Sequence, residues 1–210
     1  EVNNIRLGLD FQIDFQTVKH ANLGFTQLGI TSDLMGFVGY EFMEDYEFVI
    51  DYDNQIIEMY LILDNKENQL YSEDEVVVEL DFSTPFLSNI PYVDFDCNGQ
   101  IITASFDTGN QGNLHLNESK TKEFVKSGVI NEGKSNGIYG QSAKVTIYTM
   151  DNLSYNGVKL DKIKNMMISE NSGIPITETN QFDLGIGYQF LKNYRSIWNF
   201  RTKKIILLSR

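Results

Sequence analysis

One cysteine, three prolines and two histidines are all that the sequence has of those residues. A single thiol excludes an internal disulfide framework. Cys97 follows a candidate strand without a recognisable catalytic partner and reads as a passive thiol. His20 and His115 are far apart and match no metal-ligand spacing, so they read as ordinary surface or packing residues. Positive charge is also scarce: 17 Lys and Arg stand against 29 Asp and Glu, giving a net charge of −12. Nucleic-acid binding requires a basic face. The short run Arg201-Thr202-Lys203-Lys204 reads as a solvated turn, so no nucleic-acid partner is expected. No apolar run reaches the roughly 18 residues of a membrane span, and the acidic balance disfavours anionic membranes.

What is present suits strands. Hydrophobic residues make up 41% of 210, enough for a core in one large domain or two small ones. Fourteen Phe and eleven Tyr favour sheets with tight turns. Val76–Leu80, Tyr92–Asp96, Ile101–Phe106, Lys144–Tyr148 and Val158–Leu160 read as strands. Asn98-Gly99 and Asn156-Gly157 read as hairpin turns. Glu118–Ser127 is the best helix candidate, and the acidic stretch Asp64–Glu75 reads as a linker. Asp51-Tyr52-Asp53-Asn54 lacks the glycine and distal Glu of a calcium loop and reads as a turn. Gly185 and Gly187 lack the third glycine and the βαβ context of a dinucleotide site. Many short strands with few helices imply an all-β fold.

Two segments are alike. Gly39-Tyr40-Glu41-Phe42-Met43-Glu44-Asp45-Tyr46 leads into Val49-Ile50-Asp51-Tyr52. Gly187-Tyr188-Gln189-Phe190-Leu191-Lys192-Asn193-Tyr194 leads into Ile197-Trp198-Asn199-Phe200. The offset is constant at 148 (188 − 40) over about 20 positions, which argues for an internal repeat. Each copy predicts a helical turn with apolar residues four apart, Phe42 and Tyr46 or Phe190 and Tyr194. Each then predicts a hairpin turning at Asp53-Asn54 or Arg201-Thr202.

Asp107-Thr108-Gly109 follows a candidate buried strand, where Gly109 lets the backbone turn sharply under the carboxylate. Four features occur in order. The hairpin through Asn98-Gly99-Gln100 runs into Phe106-Asp107-Thr108-Gly109, and Gly137-Ile138-Tyr139-Gly140 precedes the strand Ala143–Tyr148. Gly185-Ile186-Gly187 comes next, and the helix Tyr188–Tyr194 with the strand Ile197–Phe200 closes the set. In these features residues 85–210 resemble the retropepsin-like aspartic proteases, matching their catalytic loop, glycine-rich flap, underlying apolar segment, terminal helix and interface strand. The chain departs from the family pattern at Asn110, where Ala or Ser is usual, at Gly185, and in a long loop between Lys162 and Phe182.

The resemblance implies an acid-protease barrel and an endopeptidase without metal or cofactor, acting on a peptide or protein substrate. Asp107 is then one of two aspartates that activate a water, with Thr108 bracing the loop and Gly109 permitting the turn. Gly137, Ile138, Tyr139 and Gly140 form the flap over the substrate. Residues 1–70 resemble only the back half of such a lobe, with Phe37-Val38-Gly39 but no Asp-Thr-Gly. Residues 71–210 read as a complete lobe. The expectation is a bilobal protein whose leading half-lobe, with the second Asp, lies ahead of Glu1 or comes from another chain. The alternative is an inactive peptide-binding protein with the same fold. The acidic, Asn- and Tyr-rich composition resembles that of exported bacterial proteins of this type.

Overall fold

The computed structural model of the chain describes residues 2–7, 11–15, 32–33, 39–63, 70–85, 89–110, 113–115, 131–136, 142–150, 152–160, 163–169 and 182–210. The chain divides into two compact units, Glu1–Phe37 with Gly137–Gln141, and Val38–Asn136 with Ser142–Arg210. In the first, β1 (Val2–Leu7) and β2 (Phe11–Phe15) pair antiparallel, with Leu7 opposite Phe11.

The second unit holds two sheets and short helices. Its elements are α1 (Tyr40–Met43), β3 (Tyr46–Asp51), β4 (Ile56–Leu61), β5 (Val76–Asp81), β6 (Tyr92–Cys97), β7 (Gln100–Phe106), β8 (Asn113–His115) and β9 (Asn131–Asn136). Then come β10 (Ser142–Met150), β11 (Leu153–Tyr155), β12 (Val158–Lys159), β13 (Ile163–Ser169), β14 (Leu184–Ile186), α2 (Tyr188–Leu191), β15 (Arg195–Asn199) and β16 (Lys204–Leu208). One sheet runs β12-β11-β6-β7-β14-β8-β13-β10-β9, the other β4-β3-β15-β16-β5. The fold is mostly β with short helices, as the composition implies. The expected barrel is not closed: the nine-stranded sheet ends at β12 and β9, which do not pair among the described residues. Among those residues no helix is long and apolar enough to cross a membrane.

The turn chemistry sets the hairpins. Asn98 and Gly99 take φ values of 56° and 82°, and Asn156 and Gly157 take 48° and 82°. Two consecutive left-handed residues match the twist of the flanking strands, which Asn-Gly adopts at low cost. Two segments differ from expectation. The first part of the loop between Lys162 and Phe182 is β13, antiparallel to β10 and parallel to β8. Part of the acidic linker is also ordered: Glu73–Glu75 form a 3-10 turn whose Ser72 and Glu75 cap each other. Glu118–Ser127 lies outside the described residues.

The five-stranded sheet takes β3 and β4 from ahead of residue 70 and the rest from beyond it. β3 and β15 pair antiparallel, with Val49 opposite Ile197 at the centre of the ladder. Val49, Ile197, Ile206 and Leu208 form a buried cluster on one face, flanked by Tyr60, Leu70, Tyr71 and Val76. Trp198, Ile205, Leu207 and Leu80 are buried on the other. Each such side chain contributes roughly 1.5–3 kcal/mol by leaving water.

The two helix-hairpin units are built alike. Phe42 and Tyr46 meet with ring centroids 5.1 Å apart, Phe190 and Tyr194 at 5.3 Å. The Asp51 carboxylate accepts the Asn54 N–H at 3.1 Å, and the Asn199 side-chain carbonyl accepts the Thr202 N–H at 2.9 Å. Each turn ends on a left-handed residue, Gln55 at φ 57° and Lys203 at φ 58°.

Candidate functional site

Strand β7 carries the motif. Its alternation buries Ile102, Ala104 and Phe106, which sets β7 between β6 and β14 in the sheet. Phe106 meets Phe95 at 6.2 Å and Trp198 at 6.0 Å, edge to face with the latter. That contact fastens the end of β7 to β15. Strand β14 runs parallel beside β7, with Ile186 opposite Phe106.

The chain turns immediately after Phe106. The Phe106 N–H donates to the Pro91 carbonyl at 2.9 Å, and the Asp107 N–H donates to the Ile186 carbonyl at 2.9 Å. The Asn110 N–H donates to the Asp107 carbonyl at 3.1 Å, closing a four-residue turn. Within it the Asp107 carboxylate accepts the Gly109 N–H at 2.9 Å. The Asn110 carbonyl then accepts the Tyr188 N–H at 2.8 Å, joining the turn to the start of α2. Asp107, Thr108 and Gly109 are all exposed. Among the described residues no cation pairs with Asp107, and the Thr108 hydroxyl makes no hydrogen bond.

The reason for glycine at 109 differs from the expected one. Among the described residues the left-handed glycines are Gly99 and Gly157, and Gly109 is not one of them. A Cβ there would lie 3.3 Å from the Asp107 Oδ1, a tight contact that the carboxylate would have to yield to by a few tenths of an ångström.

Two tyrosines that the motif did not single out border the turn. Tyr52, from the β3–β4 hairpin, meets Tyr188 edge to face with centroids 5.2 Å apart. Burial pushes the Tyr52 phenol above its usual value of 10.0, and the neighbouring Tyr188 and the charge of Asp107 push the same way. The Lys192 ammonium sits 5.3 Å over the Tyr188 ring. A second pair is built the same way: Tyr40 meets Phe200 edge to face at 5.7 Å. These are the positions 148 removed, Tyr40 from Tyr188 and Tyr52 from Phe200. Each helix start therefore touches the other unit's hairpin. The similarity of the two segments was the signal available in the sequence; which hairpin meets which helix was not encoded there.

Gly137, Ile138, Tyr139 and Gly140 lie outside the described residues. The strands on either side, β9 and β10, pair antiparallel up to Asn136 opposite Ser142. Gly185 lies in β14, opposite Ser105, so this segment runs parallel beside the strand that leads into the Asp107 turn. Cys97 is buried. Among the described residues no group of His, Cys, Asp and Glu is arranged to hold a metal ion.

No protein-family model matches the chain. No curated protein matches it either. Among solved structures it is similar to a retropepsin-like aspartic protease from Rickettsia conorii, with a TM-score of 0.40 and 13% identity, over 63% of this chain and 90% of that one. It is also similar to conglutin gamma, a basic 7S globulin from lupine seeds, with a TM-score of 0.41 and 8% identity. That match covers 81% of this chain and 52% of conglutin gamma, about half its length.

Proposed function

We propose that this chain carries one half of the active site of a retropepsin-like aspartic endopeptidase, with Asp107 as the reactive carboxylate. The observation that carries the reading is the Asp107 turn itself. Among the described residues no cation pairs with this carboxylate, which is exposed at the end of a buried strand, in a turn tied to β14 and α2. An exposed carboxylate so firmly mounted suits proton transfer.

In this reading a second aspartate faces Asp107 across a pseudo-two-fold axis, and the pair holds one water. Two carboxylates that close cannot both ionise easily, so their titrations split and one proton is shared. The ionised member takes a proton from the water, and the protonated one polarises the scissile carbonyl. Thr108, exposed and with no hydroxyl hydrogen bond among the described residues, braces the loop against its counterpart. Tyr52 and Tyr188 form part of the wall beside Asp107.

The source of the second acid follows from the duplication. Residues 1–70 are the back half of a first lobe and residues 71–210 a complete second lobe. Equal turns, equal ring pairs and a ladder centred on Val49 and Ile197 support it, because a residue pairing with its own repeat equivalent marks a two-fold axis. That axis carries the Tyr52–Tyr188 pair onto Phe200–Tyr40, so the second carboxylate belongs beside Tyr40 and Phe200. The reading assigns it to a partner lobe.

The test is cleavage of a casein-derived peptide in the acid range by the protein assembled with its partner lobe. Asp107→Asn is expected to lower the rate by about 10²–10⁴-fold. Unchanged cleavage would remove Asp107 from the mechanism. The 210-residue chain by itself is expected to show little or no cleavage. A peptide-binding protein without catalysis is the second reading. It is favoured by one observation: among the described residues no second carboxylate is hydrogen-bonded to Asp107. Peptide affinity that persists in Asp107→Asn without any cleavage by the parent protein would select it.

A further inference from the structure

We propose that Tyr52 is a positioning residue for the Asp107 turn, acting through the ring and the amide of Tyr188. This rests on the role proposed for Asp107 and brings a residue from ahead of position 70 into the site. Three observations carry it.

The first is a continuous chain of contacts. The Tyr52 ring meets the Tyr188 ring edge to face, with centroids 5.2 Å apart. The Tyr188 N–H donates to the Asn110 carbonyl at 2.8 Å, and the Asn110 N–H donates to the Asp107 carbonyl at 3.1 Å. A displacement of Tyr188 is therefore passed to Asp107 through two hydrogen bonds. The Lys192 ammonium lies 5.3 Å from the centre of the Tyr188 ring, so two neighbours hold that ring. Burial, then Tyr188 and the charge of Asp107, raise the Tyr52 phenol, so Tyr52 and Asp107 are within electrostatic reach of each other.

The second observation is the mounting of Tyr52. The Asp51 carboxylate accepts the N–H groups of Asp53 at 3.0 Å and Asn54 at 3.1 Å, and the Asn54 side-chain amide at 2.8 Å. The Asp53 carboxylate pairs with the Arg210 guanidinium. Asp51 itself is paired with Arg195 of β15 on one side and Ile56 of β4 on the other. A ring carried on so constrained a turn can fix its neighbour at little further cost in conformational freedom.

The third is the comparison between the repeats. Tyr40 and Phe200 stand 148 positions from Tyr188 and Tyr52, and they too meet edge to face, at 5.7 Å. Phe200 has no hydroxyl, so the contact is one of rings. The counterpart of Lys192 is Glu44 (192 − 148), which is hydrogen-bonded to the Tyr40 side chain. The ring pair is common to both helix starts, while the charged neighbour differs. The positioning role is therefore assigned to the Tyr52 ring and not to its hydroxyl.

The experiment measures amide hydrogen exchange by NMR in the full chain and in Tyr52→Ala, Tyr52→Leu and Tyr52→Phe. Tyr52→Leu keeps an apolar side chain without the ring and serves where Tyr52→Ala folds poorly. The Tyr188 amide is expected to lose protection by about 3–10-fold in the Ala and Leu variants and to keep it in Tyr52→Phe. The Phe82 amide, which donates to the Lys203 carbonyl at 2.9 Å, reports general loosening and is expected to stay unchanged. Equal losses at Tyr188 and Phe82, or no loss at Tyr188 in either variant, overturn the proposal. In the protein assembled with its partner lobe, Tyr52→Leu is expected to lower kcat for a casein-derived peptide about tenfold at unchanged KM, and Tyr52→Phe to restore it. A higher KM at constant kcat would make Tyr52 a substrate contact and overturn the proposal as well. Hydrogen exchange needs no catalysis, so failure of the brace and failure of the protease reading register in separate measurements.

Discussion

Asp51 and Asn199 hold equivalent turns, yet only one of them titrates. Hydrogen bonds from the Asn54 side chain, then from backbone amides, hold the Asp51 carboxyl below its usual 3.8. A depressed folded value means that the contribution is present above the unfolded value and is lost as pH falls through the folded one. Asp51→Asn keeps an oxygen acceptor without the proton. The melting temperature of the parent relative to Asp51→Asn should therefore be highest near neutrality and fall below about pH 4. Tyr52 tests the neighbourhood of Asp107 from the other side. Asp107→Asn removes one of the three influences raising the phenol, so ultraviolet titration should show Tyr52 ionising at lower pH than in the parent. Gly109→Ala places a methyl against the Asp107 carboxylate. Peptide cleavage by the assembled protein should fall, while the melting temperature changes little, because the turn is exposed. The turn through Asp107, Thr108 and Gly109 was legible because it is built from adjacent residues. Tyr52 was not, because it arrives from 55 positions upstream (107 − 52) and no local pattern records the meeting.

The elements that were legible are those with apolar alternation and a strong turn. β6 and β7 have both, and their hairpin closes where Asn98-Gly99 predicts. β9 has neither: Asn-Glu-Gly-Lys-Ser-Asn contains no large apolar residue, so only its pairing with β10 defines it as a strand. β8 is three residues long, too short for any period to register. β13 was hidden for the opposite reason, since Ile163-Lys164-Asn165-Met166-Met167-Ile168 mixes two periods. Phe106 is where the elements depend on one another, because its ring touches both Phe95 and Trp198. Phe106→Ala should cost about 3–5 kcal/mol of stability, read as a lower urea midpoint. Trp198 fluorescence should shift to the red in the same variant as its neighbour is lost.

At the scale of the molecule, both sheets of the second unit are assembled from distant parts of the chain. β3 joins β15, and β7 joins β14, so the long-range order could be guessed only from the repeat and the resemblance. Folding dominated by such pairings is slow, commonly milliseconds to seconds. The amide of Asp107 is held by the carbonyl of Ile186, 79 residues later (186 − 107). A polypeptide leaving the ribosome thus displays the acid long before the strand that clamps it exists. The clamp on that amide forms only once Ile186 has been made, and in pulse-labelled hydrogen exchange the Asp107 amide should gain protection with the last refolding phase.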